Sequence, residues 1–156
     1  MKTNITVVRA EPHHTPLLTA IAVAAKSHWG YPETWIQLWM PMMTITPAYI
    51  ASHETWIACV NKSAAAYYSF RQDDDTWLDN LWVLPEYMGQ GIGSRLLEHA
   101  LQRAMARGAG ILKIEADPNA VSFYEKMGAY KVGEHHSEVD GQPRILPVLQ
   151  IELPRT

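Results

Sequence analysis

The stretch that most limits how this chain can fold is LWVLPEYMGQGIGSRLLEHAL, Leu81–Leu101. A run of large apolar residues stops at Pro85, glycines follow at positions 89, 91 and 93, and an amphipathic pattern begins at once. Alternate glycines weaken the interior of a strand or a helix, so they fit a junction where the backbone must approach something closely. The first turn of a helix leaves about four N–H groups without intrahelical partners, and these carry partial positive charge. Glycines there let the main chain close on an anion without Cβ interference, which makes GQGIGS (Gly89, Gln90, Gly91, Ile92, Gly93, Ser94) a phosphate cradle. The spacing is G-x-G-x-G, with Ser94 where a dinucleotide fingerprint needs glycine. No Gly-Lys-Ser/Thr triplet is present for a nucleoside triphosphate loop.

The flanking segments give the topology. ITVVRA (Ile5–Ala10) reads as a first strand, and Thr15-Pro16 as an N-cap and N1 proline opening a helix through LLTAIAVAAKSH. A second helix is expected to start near Pro32. TWIACV (Thr55–Val60), AAAYYSFR (Ala64–Arg71) and TWLDNLWVL (Thr76–Leu84) form a three-strand meander. The helix after the glycines runs to about Arg107 with an apolar seam of Ile92, Leu96, Ala100 and Ala104. ILKIEA (Ile111–Ala116) is a strand, DPNAVSFYEKMG a short helix capped by Asp117 and stopped by Gly128, and AYKVGEH and LPVLQIEL are two last strands joined by a DGQPR turn. The fold class is α/β (α+β): a mixed, mostly antiparallel sheet of 6–7 strands with a splayed parallel pair and helices on both faces.

Bulk properties narrow the partners. The 156 residues suit a single domain, 1–156, and the net charge of −3 argues against nucleic acid. The longest apolar stretch is short of the ~20 residues that cross a bilayer, and the N-terminus reads as a strand, not a signal peptide, so no membrane partner and a cytoplasmic location are expected. Cys59, the single cysteine, has no internal disulfide partner. His13–His14 and His135–His136 are adjacent pairs, read as solvated loop histidines, and no metal is expected.

LWVLPEYMGQGIGSRLL resembles the acyl-CoA-binding segment of the GNAT superfamily of N-acyltransferases: a strand ending in V-x-P, then Arg/Gln-x-x-Gly-x-Gly/Ala opening a helix. DPNAVSFYEKMGA resembles that superfamily's second hallmark, a short helix with Phe/Leu-Tyr-Glu-Lys before a glycine. The likeness is strong from Trp77 to Glu134 and elsewhere architectural. Met88 stands where the pattern has Arg or Gln, and Asp117 where many relatives have Asn.

The resemblance implies an acetyl-CoA-dependent N-acetyltransferase acting on a small-molecule or peptide amine. Acetyl-CoA would lie in a V between the meander's last strand and Ile111–Ala116. Leu81, Trp82 and Val83 would hold the pantetheine arm, Gly89 through Ser94 the pyrophosphate, and Asn119 part of the coenzyme. Tyr124 would hydrogen-bond the leaving thiolate. Asp79, placed by alternation on the face of Leu81 and Val83, is the expected base, ahead of Glu115 and Glu33. His28, Trp29 and Tyr31, in the aromatic loop where relatives build specificity, would meet a cationic amine. Cys59 lies on an early strand away from both motifs, against a covalent acyl-cysteine. Exposed C-terminal strands make a homodimer an expectation, and a non-catalytic acyl-CoA-binding module is the alternative function.

Overall fold

The structure, a computed structural model, describes residues 4–154. Residues 1–3 and 155–156 of the expected domain lie outside it. Seven strands form one sheet: β1 (Ile5–Arg9), β2 (Thr55–Val60), β3 (Ser63–Gln72), β4 (Thr76–Val83), β5 (Ile111–Glu115), β6 (Tyr130–Val139) and β7 (Gln142–Glu152). Their spatial order is β1-β2-β3-β4-β5-β7-β6. Only β4 and β5 run parallel, and the other neighbours are antiparallel.

Five α-helices cover the sheet: α1 (Thr15–His28), α2 (Glu33–Met43), α3 (Pro47–Ser52), α4 (Ile92–Ala106) and α5 (Val121–Lys126). Two apolar cores result. On one face the buried side of α4 (Ile92, Leu96, Leu97, Ala100, Ala104) packs with Tyr68, Phe70, Leu112, Ile114 and Tyr124. On the other, Leu18 and Ile21 of α1, Ile36 and Met43 of α2 and Ile50 of α3 pack on Ile57 and Tyr67. Strand alternation sends the adjacent Tyr67 and Tyr68 to opposite cores. Each fully buried leucine or isoleucine here contributes about 1.5–3 kcal/mol of burial free energy.

Several local details differ from the pattern reading. Thr15 is the first residue of α1, because a 3-10 turn over Pro12–His14 precedes it and His14 takes the cap position. Pro41 lies inside α2. α3 is an additional helix, opened by the Thr46 side chain accepting from the Tyr49 N–H at 3.1 Å. The last two strands are longer than their apolar cores suggested. They join at a two-residue turn of Asp140 and Gly141, whose φ values of 51° and 75° suit a tight hairpin. His135 and His136 are therefore exposed strand residues, not loop residues.

Candidate active site at the parting of two strands

Pairing between β4 and β5 covers only Thr76↔Leu112, Trp77↔Lys113 and Leu78↔Ile114. Beyond that rung β4 continues to Val83, bound to β3 on one edge through Tyr68↔Leu81, Tyr67↔Trp82 and Ala66↔Val83. The other edge of Leu81–Val83 faces a cavity of about 370 Å³, so its backbone groups are free for a ligand. Leu81, Trp82, Val83, Met88, Gly89, Gly91, Gly93, Ser94, Asn119 and Tyr124 all line this cleft.

The glycine cradle closes its far end. Gly89 and Gly91 have φ of +76° and +80°, and Gly91 caps α4 in the left-handed region. Gly93 is helical, and a Cβ there would meet the Phe123 ring at 3.5 Å, an ordinary contact. Arg95 N–H bonds to the Gly91 carbonyl at 3.1 Å. The amides from Gly89 to Ser94 have no protein acceptor among the described residues, and those of Ile92, Gly93 and Ser94 open α4. Gln90 and Ile92 lie off the cleft wall: the Gln90 side chain donates to Glu86 O at 3.0 Å, and Ile92 is core.

Tyr124 is 6% exposed, and its hydroxyl has no hydrogen-bond partner among the described residues. Burial, and then the nearby Asp117 charge, hold that hydroxyl well above the usual tyrosine range. It is a neutral donor aimed at the cleft.

A second cavity, about 760 Å³, adjoins the first. Leu78, Asp79, Asn80, Trp82, Glu115 and Asp117 line both cavities. Asp79 and Glu115 are the first residues past the last parallel rung, so two carboxylates stand at the apex of the V.

Asp79 does not follow simple alternation. The register steps from Phe70↔Leu78 to Ser69↔Asn80, leaving Asp79 as the extra residue of a β-bulge. It therefore does not share a regular face with Leu81 and Val83. Tyr49 O–H donates to Asp79 Oδ2, and Arg71 Nη1 lies 3.6 Å from Oδ1. Tyr49 comes from α3, the helix that sequence reasoning missed; the Thr46-Pro47 pair was the available signal. Glu33 begins α2, accepts from Gln37 at 3.0 Å, and lines neither cavity.

The aromatic loop is placed differently from the expectation. None of His28, Trp29 and Tyr31 lines the larger cavity. Trp29 borders the smaller cleft, and His28 packs edge-on against the Trp29 ring with ring centroids 5.5 Å apart. Tyr31 joins a cluster around Asp117, which accepts from Lys26 Nζ at 2.6 Å, Tyr31 O–H at 3.0 Å, Asn119 N–H at 2.9 Å and Arg144 Nη2 at 3.3 Å. Lys26 Nζ lies 4.9 Å from the Tyr31 ring centre and 4.3 Å from that of Trp39. The Arg144 guanidinium lies 4.9 Å and 4.8 Å from the same rings. The protein's own cations thus lie beside the Tyr31 ring, one of the two, with Trp29, on which a substrate cation was expected. Burial drives the Lys26 ammonium below the usual lysine value despite Asp117. For Asp117, burial pushes upward, but the Lys26 hydrogen bond and charge, with Asn119 and Tyr31, outweigh it and hold the carboxyl below 3.8.

Cys59, on β2, lines neither cavity, and burial pushes its thiol up, away from nucleophilic thiolate. Among the described residues, one group of metal-ligand types comes together: Glu11, His13 and His14, on the surface before α1. There His14 Nδ1 already accepts from the Glu11 N–H at 2.9 Å. No helix among the described residues is long and apolar enough to cross a membrane.

Residues 18–129 match the Acetyltransferase (GNAT) family. The chain belongs to that family. Its fold is that of solved members: a GCN5-related N-acetyltransferase from Rhodopseudomonas palustris superposes with a TM-score of 0.83 at 24% identity, covering 98% of this chain and 99% of the other. The PaiA N-acetyltransferase from Thermoplasma acidophilum, solved in complex with coenzyme A, superposes with a TM-score of 0.76 at 16% identity, covering 96% and 99%. The peptidyl-lysine N-acetyltransferase YjaB of Salmonella typhimurium is 40% identical over 77 residues, which are 49% of this chain and 50% of that protein. The chain spans about half the length of the curated relatives it matches.

Proposed function

We propose that this GNAT protein transfers the acetyl group of acetyl-CoA to a primary amine by direct attack in a ternary complex. The observation that carries the reading is the meeting of two cavities at the point where β4 and β5 part. One holds the coenzyme and the other the acceptor.

The pyrophosphate rests on the free amides of Gly89–Ser94, favoured by the positive end of α4. Met88 costs little here because the holding groups are main-chain. The pantetheine amides take the place of a neighbouring strand along Leu81–Val83, and Asn119 borders its path. A free N–H of that edge polarises the thioester carbonyl and stabilises the oxyanion.

A lysine-like amine has a pKa near ~10.4, so only about one molecule in 10³ is neutral at pH 7. Its proton leaves to a carboxylate at the apex, where Asp79 and Glu115 stand. The neutral nitrogen attacks the carbonyl carbon and the C–N bond forms; the nitrogen of the tetrahedral intermediate gives up its second proton to water, and the C–S bond breaks with its electron pair going to sulfur. Tyr124 donates a hydrogen bond to that thiolate; full proton transfer is uphill by ~2 kcal/mol from the ordinary thiol and phenol values.

A cationic acceptor fits the second cavity. Its three cations are engaged, Lys26 and Arg144 with Asp117 and Arg71 with Asp73 and Asp79. Its carboxylates Glu138 and Asp140 have no cation within 4.0 Å among the described residues. The similarity to a peptidyl-lysine N-acetyltransferase supports an amine on a flexible stem, free or in a peptide.

The test is release of free thiol from acetyl-CoA over an amine panel, with calorimetry of coenzyme A binding. Turnover with at least one amine is expected. Tight coenzyme binding without turnover on any amine would replace the enzyme with a non-catalytic acyl-CoA-binding module.

A further inference from the structure

Two carboxylates stand at the apex, and their surroundings separate them. Asp79 is held on one side by the Tyr49 hydroxyl and faces Arg71 on the other. Tyr49 is itself fixed, bonded to Ser69 Oγ at 2.7 Å and to the Asn80 amide at 3.2 Å, so Asp79 closes a network that joins α3, β3 and β4. Glu115 has no side-chain hydrogen bond among the described residues. Among the described residues its one ionisable contact is the His135 imidazole of β6, with Nδ1 3.7 Å from Oε1, and His135 is half exposed. Of the remaining charged groups of the cavity, Lys26 (α1) and Arg144 (β7) hold Asp117, Arg71 (β3) holds Asp73 and Asp79, and Glu138 and Asp140 belong to the hairpin tip.

We propose that Glu115, not Asp79, accepts the acceptor ammonium's proton, and that His135 relays it to solvent. The inference rests on the acetyltransferase reading above. One ammonium N–H proton passes to a Glu115 carboxylate oxygen, and the freed lone pair attacks the thioester carbonyl. The carboxylic acid returns that proton through the His135 imidazole to water, restoring both groups. The second N–H proton leaves the tetrahedral intermediate to water as the C–S bond breaks, and the departing thiolate takes one proton from solvent. Asp79 is a positioning residue that fixes the bulge and, through it, the Leu81–Val83 edge.

The experiment compares wild type, Glu115→Gln, His135→Asn and Asp79→Asn with two acceptors of similar size, one an ordinary alkylamine and one whose amine pKa is lowered below 7 by fluorination. A positioned base is worth about 10²- to 10⁴-fold. With the alkylamine at pH 7, Glu115→Gln is expected to lose kcat by about 10²-fold or more and to regain activity only as pH approaches the amine's own pKa. With the low-pKa amine, which arrives neutral, it keeps most of its activity. His135→Asn loses several-fold with the alkylamine alone. Asp79→Asn loses activity to the same extent with both amines. Coenzyme A affinity, measured by calorimetry, is retained in Glu115→Gln. Wild-type turnover with an unaltered pH profile in Glu115→Gln, or an amine-dependent loss confined to Asp79→Asn, overturns this assignment and leaves the acetyltransferase reading standing. Failure of wild type to turn over any amine removes both.

Discussion

Lys26 Nζ lies 2.6 Å from Asp117 Oδ2, although 91 residues separate them in sequence. The contact ties the end of α1 to the turn that opens α5, beside the parting of β4 and β5. Side-chain exposures are 11% for Lys26 and 10% for Asp117, and Arg144 at 12% shares the same carboxylate.

Removing Asp117 leaves two nearly buried cations without their anion. Asp117→Asn is expected to destabilise by about 3–5 kcal/mol, the cost of breaking a buried pair from one side. Lys26→Met is milder, because Arg144, Tyr31 and Asn119 still satisfy Asp117 while the methionine fills the space. Urea denaturation of both variants measures the difference, and equal losses would contradict the cluster's geometry.

The same pair sets a pH response. The Asp117 carboxyl is held below its ordinary 3.8, so the unfolded chain takes up the proton first as pH falls. Its contribution is therefore fully present above about pH 4 and lost as pH drops through the lower folded value. Lys26 acts in the opposite sense: its depressed folded value means the folded state carries a penalty at neutral pH, relieved as pH rises toward 10.5. Thermal midpoints between pH 3 and 5 are expected to fall more steeply in wild type than in Asp117→Asn.

The cradle glycines differ in their reasons. Gly91→Ala puts a Cβ on a residue at φ +80° and is expected to cost about 1–2 kcal/mol and several-fold in coenzyme A affinity. Gly93→Ala sits at a helical position with only ordinary contacts, so it is expected to keep or raise stability by up to ~1 kcal/mol. Its methyl group borders the cleft proposed to hold the coenzyme, so coenzyme A affinity is expected to fall without loss of fold. Paired melting and calorimetry on the two variants separate these effects.

Tyr124→Phe removes a hydroxyl that has no protein partner, so stability is expected to change by less than about 1 kcal/mol. A hydrogen bond to a charged group is worth about 1.5–3 kcal/mol, so kcat falls roughly 10- to 100-fold while coenzyme A affinity is kept.

Tyr67 carries a hydroxyl away from the cleft. Among the described residues it is buried with no hydrogen-bond partner, and burial pushes its ionisation far up. Tyr67→Phe is expected to stabilise the fold by about 1 kcal/mol. A destabilisation seen in chemical denaturation would point to a bound water bridging that hydroxyl.

Much of the frame could be read from residue patterns. The α4 seam, the meander and the glycine junction each rest on local periodicity or on a backbone angle that one residue type tolerates. Elements without such a signal were misjudged. α3 is only six residues long, too short for a periodic face. The β6–β7 hairpin is polar and exposed along much of β6, so alternation against a core did not mark its length.

The order of residues by itself determined a strand leading through Pro85 into a glycine-lined helix start, because those constraints act within a few bonds of each other. The family resemblance added Tyr124, Asp79 and Glu115 as candidates, and all three line the cleft. Tertiary structure alone decided which partners those groups meet. A single bulge at Asp79 breaks the two-residue alternation and brings that side chain to Tyr49 and Arg71. Packing of α1 and β7 around Asp117 puts Lys26 and Arg144 beside the Tyr31 ring, one of the two aromatics expected to meet a substrate cation. Such contacts join segments tens of residues apart, and no local period or backbone preference encodes them.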